Sequence, residues 1–303
     1  MILAIDIGGT AAKMGLMDQS GKIYARQEVS VNFDHYETPI LKTVINTAVR
    51  FVQDNNATIE GIGVSATGQV DTEIGAVVGT NGRIANYEGA QIKKDLEAVF
   101  HVPVWVLNDA NAAALGECFL GAGKGYHNVL MITLGTGVGG GLILNGQLYG
   151  GSRGLAGELG HFTLYQNGIQ CACGKRGCYE CYASTTALVR QAKVKDGRTL
   201  FTDIQQGNRK LQEVLNNWLN DVAAGVTGLV HIFNPELVLI GGGVSAQEEL
   251  LLIPLRNRIL KGVMPRFAEN LRIERATLGN DAGMIGALKF QLDKQYKQEQ
   301  AGR

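Results

Sequence analysis

A histidine and three cysteines fall within eighteen residues as His161-x9-Cys171-x-Cys173-x4-Cys178. Glu158 stands three positions ahead of the histidine, and Glu180 two positions beyond the last cysteine. Imidazole and thiolate are preferred zinc ligands, and four of them at this spacing read as a closed structural site. If the metal takes one ring nitrogen of His161, the other can donate to a ligand hydroxyl. Glu158 and Glu180 can then accept from hydroxyls of the same molecule, a chemistry that suits a polyol better than an apolar substrate. Zinc fingers that grip nucleic acid use comparable ligands, but this loop lacks a finger's helix spacing. Cys181 is a spare thiol and an alternative ligand, and Cys118, on a helical face, reads as a small core residue.

Three glycine-rich turns each follow an apolar strand: Asp6-Ile7-Gly8-Gly9-Thr10, Gly135-Thr136-Gly137, and Gly241-Gly242-Gly243. Bare backbone amides at such turns can approach an anion, and Thr10 and Lys13 add donors beside the first. Asp6 is placed to hold a hydrated Mg²⁺. The first two turns would flank phosphates, and the third would let a nucleoside lie against backbone. None is a Walker loop, and no Gly-x-Gly-x-x-Gly opens a helix with an acid about twenty residues on. Asn108-Asp109 ends a strand and begins an Ala-rich helix. Alone, Asp109 reads as a helix cap. In the company of the glycine turns it becomes the candidate general base. His35, His101, His127 and His231 have no such company and read as surface or packing residues.

The elements that position these groups follow from apolar spacing. Strands are predicted over 2–7, 13–18 and 22–31, with Ser20-Gly21 as a hairpin turn. Helical spacing covers 38–54, a strand 60–65, a turn-rich stretch 66–91, a helix 92–100, a strand 103–107 and a helix 110–119. The pattern restarts at strand 128–134, its glycine turn and further strands over 138–149, which suggests a duplicated unit. Helices over 184–195 and 209–233, strand 236–240, helix 247–260, a strand near 271–278 and helix 282–297 complete the chain. Meanders followed by strand–helix alternation, twice over, predict two α/β lobes with a cleft between them.

Bulk properties set limits. The chain has 303 residues, 45% hydrophobic and 18% charged, enough for two cores. Lys+Arg and Asp+Glu balance at 28 each, so the field that nucleic-acid binding needs is lacking. No basic n-region precedes Ile2 and no apolar run has spanning length, so the sequence reads as cytoplasmic with no membrane partner. Five cysteines, four of them within 171–181, fit metal binding better than disulfides.

These residues together resemble the ROK family (repressor, open reading frame, kinase) of the sugar-kinase/Hsp70/actin superfamily. The carriers are Asp6 to Thr10, Asn108 to Ala114, Gly135 to Gly141, Gly157 to His161, and Cys171 to Glu180. The resemblance runs from Ile5 to about Ala287. It implies a two-lobed ribonuclease-H-like, actin-like ATPase fold. The expected boundaries are 1–118 for the N-terminal lobe, joined by the helix at 283–298, and 119–282 for the C-terminal lobe with its zinc loop at 157–181. It implies ATP and Mg²⁺, a structural Zn²⁺ on His161, Cys171, Cys173 and Cys178, and phosphoryl transfer to a sugar hydroxyl, usually O6, with Asp109 as base. The sugar contacts fall on Gly68, Asn81, Asn108, Asp109, Glu158, His161 and Glu180, and a homodimer is expected. Thr67 stands where the family often has proline. The sugar itself stays open among glucose, N-acetylmannosamine, another N-acetylhexosamine, fructose and a β-glucoside. A sugar-sensing regulator without catalysis is the alternative, although its usual helix-turn-helix has no room before Ile5.

Overall fold

The computed structural model describes residues 1–80, 82 and 84–302. The chain divides into two compact units. The first comprises Met1–Lys124, Leu148–Ala156 and Asn280–Arg303, and the second Gly125–Gln147 and Gly157–Gly279.

The first unit is built on strands β1 (Ile2–Ile7), β2 (Ala11–Met17), β3 (Ile23–Ser30) and β4 (Gly61–Ala66), a short hairpin β5 (Gln69–Asp71) and β6 (Ala76–Gly79), and β7 (Val104–Asn108). The sheet order is β3-β2-β1-β4-β7. The β1–β2 and β2–β3 pairs are antiparallel, whereas β1–β4 and β4–β7 are parallel. Apart from Asp6, β1 and β4 read as apolar or small runs because they lie inside the sheet and are covered on both faces. α1 (Ile40–Asp54), whose Ile40, Leu41, Val44, Ala48 and Phe51 form the buried stripe, precedes β4; α2 (Ile92–Phe100) precedes β7 and α3 (Asp109–Leu120) follows it.

The second unit repeats the pattern. β8 (Val129–Leu134), β9 (Val138–Leu144), β10 (Gln147–Leu148), β11 (Leu237–Gly241) and β12 (Arg272–Arg275) lie in the order β10-β9-β8-β11-β12. Again the first strand pairs antiparallel with the second and parallel with the fourth. The helices are α4 (Glu180–Ala183), α5 (Thr185–Ala192), α6 (Gly197–Gln205), α7 (Arg209–Phe233), α8 (Ile253–Gly262) and α9 (Pro265–Ala268). The 25-residue α7 is started by the Asn208 side chain accepting from Leu211 N and is stopped by Asn234 in the left-handed region. Its stripe of Leu215, Trp218, Leu219, Val222, Val226 and Val230 forms much of this unit's core.

α10 (Ala282–Ala301) returns to the first unit. It crosses α3 and β4 at very short range because the crossing points lack side chains. A Cβ on Gly286 would overlap the Ala112 carbonyl, one on Gly116 the Ala282 carbonyl, and one on Gly63 the Ala287 carbonyl. No helix among the described residues is long and apolar enough to cross a membrane.

Candidate functional site

Asp6 is fixed by strand register. In β1 it lies opposite Lys13 of β2 and Ser65 of β4. Ser65 Oγ donates to Asp6 Oδ1 at 2.7 Å, and Lys13 Nζ approaches Oδ2 at 4.0 Å. Gly283 of α10 has no Cβ where one would press on this carboxylate. Burial raises the Asp6 pKa above the ordinary aspartate value, an effect partly offset by the Ser65 hydrogen bond and then by Lys13. Ser65 and Gly283 were not singled out from the sequence, where only the parallel register could have signalled Ser65. In the following turn, Gly8 N–H donates to Ala11 O at 2.9 Å, closing the hairpin, so that amide serves the fold rather than an anion. Tyr36 Oη donates to Gly9 O, and Thr10 O accepts from Val31 N.

At the end of β7 the helix cap is Asn108, not Asp109. Asn108 Oδ1 accepts from Ala110 N at 3.0 Å and Asn111 N at 3.2 Å, while its Nδ2 donates to Gly68 O at 2.9 Å. Asn108 thereby joins α3 to the loop before the β5–β6 hairpin, whose Gly68 takes φ +92° and lies close to Gly79 O. Asp109 occupies the first helical position, half-buried, with Oδ1 accepting from Ala110 N at 2.8 Å. Asn81 lies outside the described residues.

In the second unit the glycine turn after β8 carries a carboxylate. Glu180 Oε2 accepts from Val138 N at 3.1 Å and lies where a Cβ on Gly137 would be. The third turn packs on the strand before it, since a Cβ on Gly242 (φ +91°) would overlap Leu134 O. A Cβ on Gly135 or Gly243 would meet nothing within 4 Å, so backbone there is bare toward open space. Gly140 and Gly160 let the Gly157–His161 turn lie directly on β9, against Leu159 and Val138 respectively. Glu158 Oε2 stands 3.8 Å from His161 Nε2. Burial raises the Glu158 pKa, His161 opposes that shift, and the Glu180 charge adds to it.

The cysteine-bearing loop follows. Gly177, at φ +77°, donates to Ile169 O and has no room for a Cβ beside Tyr165 O. Cys171 N donates to Lys175 O and Gly174 N to Cys171 O, a turn that folds Cys171 and Cys173 together. The ligand atoms of His161, Cys171, Cys173 and Cys178 all lie within 4.8 Å of one another. Cys171 Sγ is 3.7 Å from His161 Nδ1, and Cys173 Sγ is 3.5 Å from Cys178 Sγ. Zinc bonds of 2.0–2.3 Å in a tetrahedron need ligand separations of about 3.5–3.8 Å, so the donor set fits zinc. In this arrangement Nδ1 is the nitrogen facing the thiols, and Nε2 is the one turned toward Glu158. Cys181 is outside the cluster, its Sγ directed at Gln170 O at 3.8 Å. Cys118 is partly buried on α3, and burial pushes its thiol up to about 12.

A model of the ROK family matches residues 2–294. The glucokinase of Thermotoga maritima is 32% identical over 305 residues, which cover 94% of this chain and 95% of that protein. The xylose repressor of Bacillus subtilis is 28% identical over 297 residues, covering 96% of this chain and 77% of the repressor. The solved structure of a ROK family glucokinase from Streptomyces griseus in complex with glucose and AMPPNP matches with a TM-score of 0.81 at 30% identity, covering 96% of this chain and 99% of that one. The two repeated α/β units have the architecture of the actin-like ATPase fold found in these structural neighbours. In sequence over nearly its whole length and in fold, the chain belongs to the ROK family.

Proposed function

We propose that this chain is an ATP-dependent sugar kinase that transfers the γ-phosphoryl group to a hexose or N-acetylhexosamine hydroxyl, O6 of glucose or N-acetylmannosamine. The observation that carries the reading is the division of labour at the β7–α3 junction. Asn108 takes the capping role, so Asp109 stands at a strand's carboxyl end without being required as the cap. Its carboxylate accepts the proton of the sugar hydroxyl as that oxygen bonds to the γ-phosphorus and ADP departs. Gly68, Asn81, Asn108, Glu158, His161 and Glu180 are the remaining proposed sugar contacts. The backbone at Gly135–Gly137 and Gly241–Gly243 is assigned to the nucleotide, because Gly135 and Gly243 leave it open to approach. Asp6, with Lys13 alongside, is the group that would hold Mg²⁺. The ion would supply charge neutralisation at the phosphates. The same reading carries a homodimer, which light scattering of the purified protein checks.

Phosphoryl transfer asks for positioning and electrostatics with one proton to be moved, so removing the base should spare binding. Asp109→Asn is expected to lower kcat about a hundredfold or more while sugar affinity, measured by titration calorimetry, stays within about threefold. Near-normal turnover in that variant would falsify the assignment. The second reading, a sugar-sensing regulator, is supported by the match to the xylose repressor across 96% of the chain. Coupled detection of ADP release across glucose, N-acetylmannosamine, N-acetylglucosamine, fructose and a β-glucoside separates the two. Sugar-dependent ADP release supports the kinase, and sugar binding without it supports the regulator.

A further inference from the structure

Tyr36 stands on a strained stretch of backbone. It takes φ +66°, and His35 just before it takes φ +55°. Residues other than glycine visit this left-handed region singly, and a bulky side chain is rare there. Two in succession persist only where the surroundings hold them, and such places gather at functional sites. The holding contacts are specific. Asn32 O accepts from His35 N and Asp34 O from Glu37 N, while Asp34 Oδ2 accepts from Thr38 N at 2.9 Å. Asn86, itself at φ +57°, donates from Nδ2 to Tyr36 O at 3.1 Å.

What the strained residue reaches is the first glycine turn. Tyr36 Oη donates to Gly9 O at 2.9 Å. A trans peptide is planar, and its carbonyl and the N–H of the next residue point opposite ways. Fixing Gly9 O toward Tyr36 therefore turns Thr10 N–H away from Tyr36. Thr10 is exposed, and the backbone hydrogen bonds of the turn leave its N–H unused: Gly8 N–H goes to Ala11 O, and Val31 N–H comes to Thr10 O. Ile84 also packs on Gly9, its Cδ1 lying 3.4 Å from where a Cβ would stand. Gly9 is thus held by two residues remote in sequence, all of them within the first unit.

We propose that Tyr36 is a positioning residue for the nucleotide: by holding the Gly9 carbonyl it aims the Thr10 amide at a phosphate of ATP. This rests on the reading of the first glycine turn as a phosphate contact, and Tyr36 itself touches no substrate. The hydroxyl does the holding, so the ring without it should not suffice.

Tyr36→Phe keeps the ring and removes the donor. Titration calorimetry with AMPPNP and Mg²⁺ reads the effect directly. Affinity is expected to fall about fivefold or more, and the KM for ATP to rise in proportion. Affinity for adenosine, which carries no phosphate, and for glucose or N-acetylmannosamine should stay within about twofold. A merely structural role would weaken all of these together. Unchanged AMPPNP affinity in a folded Tyr36→Phe protein overturns the proposal, and so does an equal loss for adenosine. Should that variant not fold, Asn86→Gly decides, because it withdraws the support of the Tyr36 backbone at a position where glycine suits the positive φ. Lowered AMPPNP affinity with adenosine affinity kept supports the proposal, and unchanged AMPPNP affinity overturns it. Wild-type protein that binds sugar but not AMPPNP sinks the nucleotide reading and the proposal with it. Wild-type protein that binds both, beside an unaltered Tyr36→Phe, sinks the proposal alone.

Discussion

Asp6 is a carboxylate held where folding disfavours its charge. Ser65 and Lys13 compensate only in part, so its pKa in the fold lies above the ordinary 3.8. The sign of the consequence follows. Below pH 3.8 the acid is protonated in both folded and unfolded chains, and burial costs it little. As pH rises through the higher folded value, the folded state must lose a proton against desolvation, and stability falls. Asp6→Asn removes that penalty and can still accept from Ser65. Its Tm should therefore exceed that of the wild type by roughly 2 °C or more at pH 7, with the gap closing toward pH 4. ATP-dependent turnover should be lost if Asp6 holds the cation. A lower Tm at neutral pH would show that the carboxylate is stabilising and that its partners outweigh burial. The same trade is visible at Glu180, whose carboxylate lies in space that only a glycine at position 137 leaves open. Both carboxylates are accommodated where a glycine leaves out a side chain.

At the scale of elements, the loop that carries His161 and the three clustered cysteines is held by two devices. Cys171, Cys173, Cys178 and His161 gather its turns, while tyrosines tie its ends down. Tyr165 Oη donates to Asp221 Oδ1 on α7 at 2.5 Å, and Tyr179 Oη to Val222 O at 2.8 Å, also on α7. Tyr182 Oη, on α4, accepts from Ile169 N of the loop. Removing a zinc ligand should therefore free the turns and leave α7 in place. In Cys173→Ser, amides between 163 and 178 are expected to exchange at least about tenfold faster, with zinc lost and α7 amides changed by less than about twofold. Equal acceleration along α7 would mean that the metal supports the whole unit. The gathering of His161, Cys171, Cys173 and Cys178 was legible in their spacing, and α7 because its apolar stripe runs for 25 residues. The hairpin β5–β6 was not, since strands of three and four residues are too short to show alternation. Nor was α6, nine residues opened by the Asp196 cap, or the break that separates a wide helical turn at Glu248–Leu252 from α8. The segment 148–156 escaped for a different reason. Its membership in the first unit depends on single hydrogen bonds, such as Thr72 N to Arg153 O, and on the fit of Gly154 against Thr72, neither of which has a period.

Across the whole molecule, each unit has its own core and its own point of weakness. The first closes when α10, arriving from the far end of the chain, lies against α3 and β4 at glycines. The second closes around α7 and includes the cluster of His161, Cys171, Cys173 and Cys178. Sequence patterning pointed to two lobes, since the strand pattern restarts with the strand at 128–134. It could not show how closely α10 approaches, because a buried glycine and a flexible one are the same letter. Independence of the cores predicts that damage stays local. Gly286→Val places atoms where the Ala112 carbonyl already lies and is expected to cost about 3 kcal/mol. Hydrogen exchange followed by mass spectrometry should then show β1 and β4 losing protection, with β8, β11 and the zinc content unchanged. Chelation of the wild-type protein should give the converse pattern. If Gly286→Val instead deprotects both sheets equally, the two units unfold as one cooperative body, and the stability effects argued above for Asp6 and for the zinc ligands would have to be read as global rather than local.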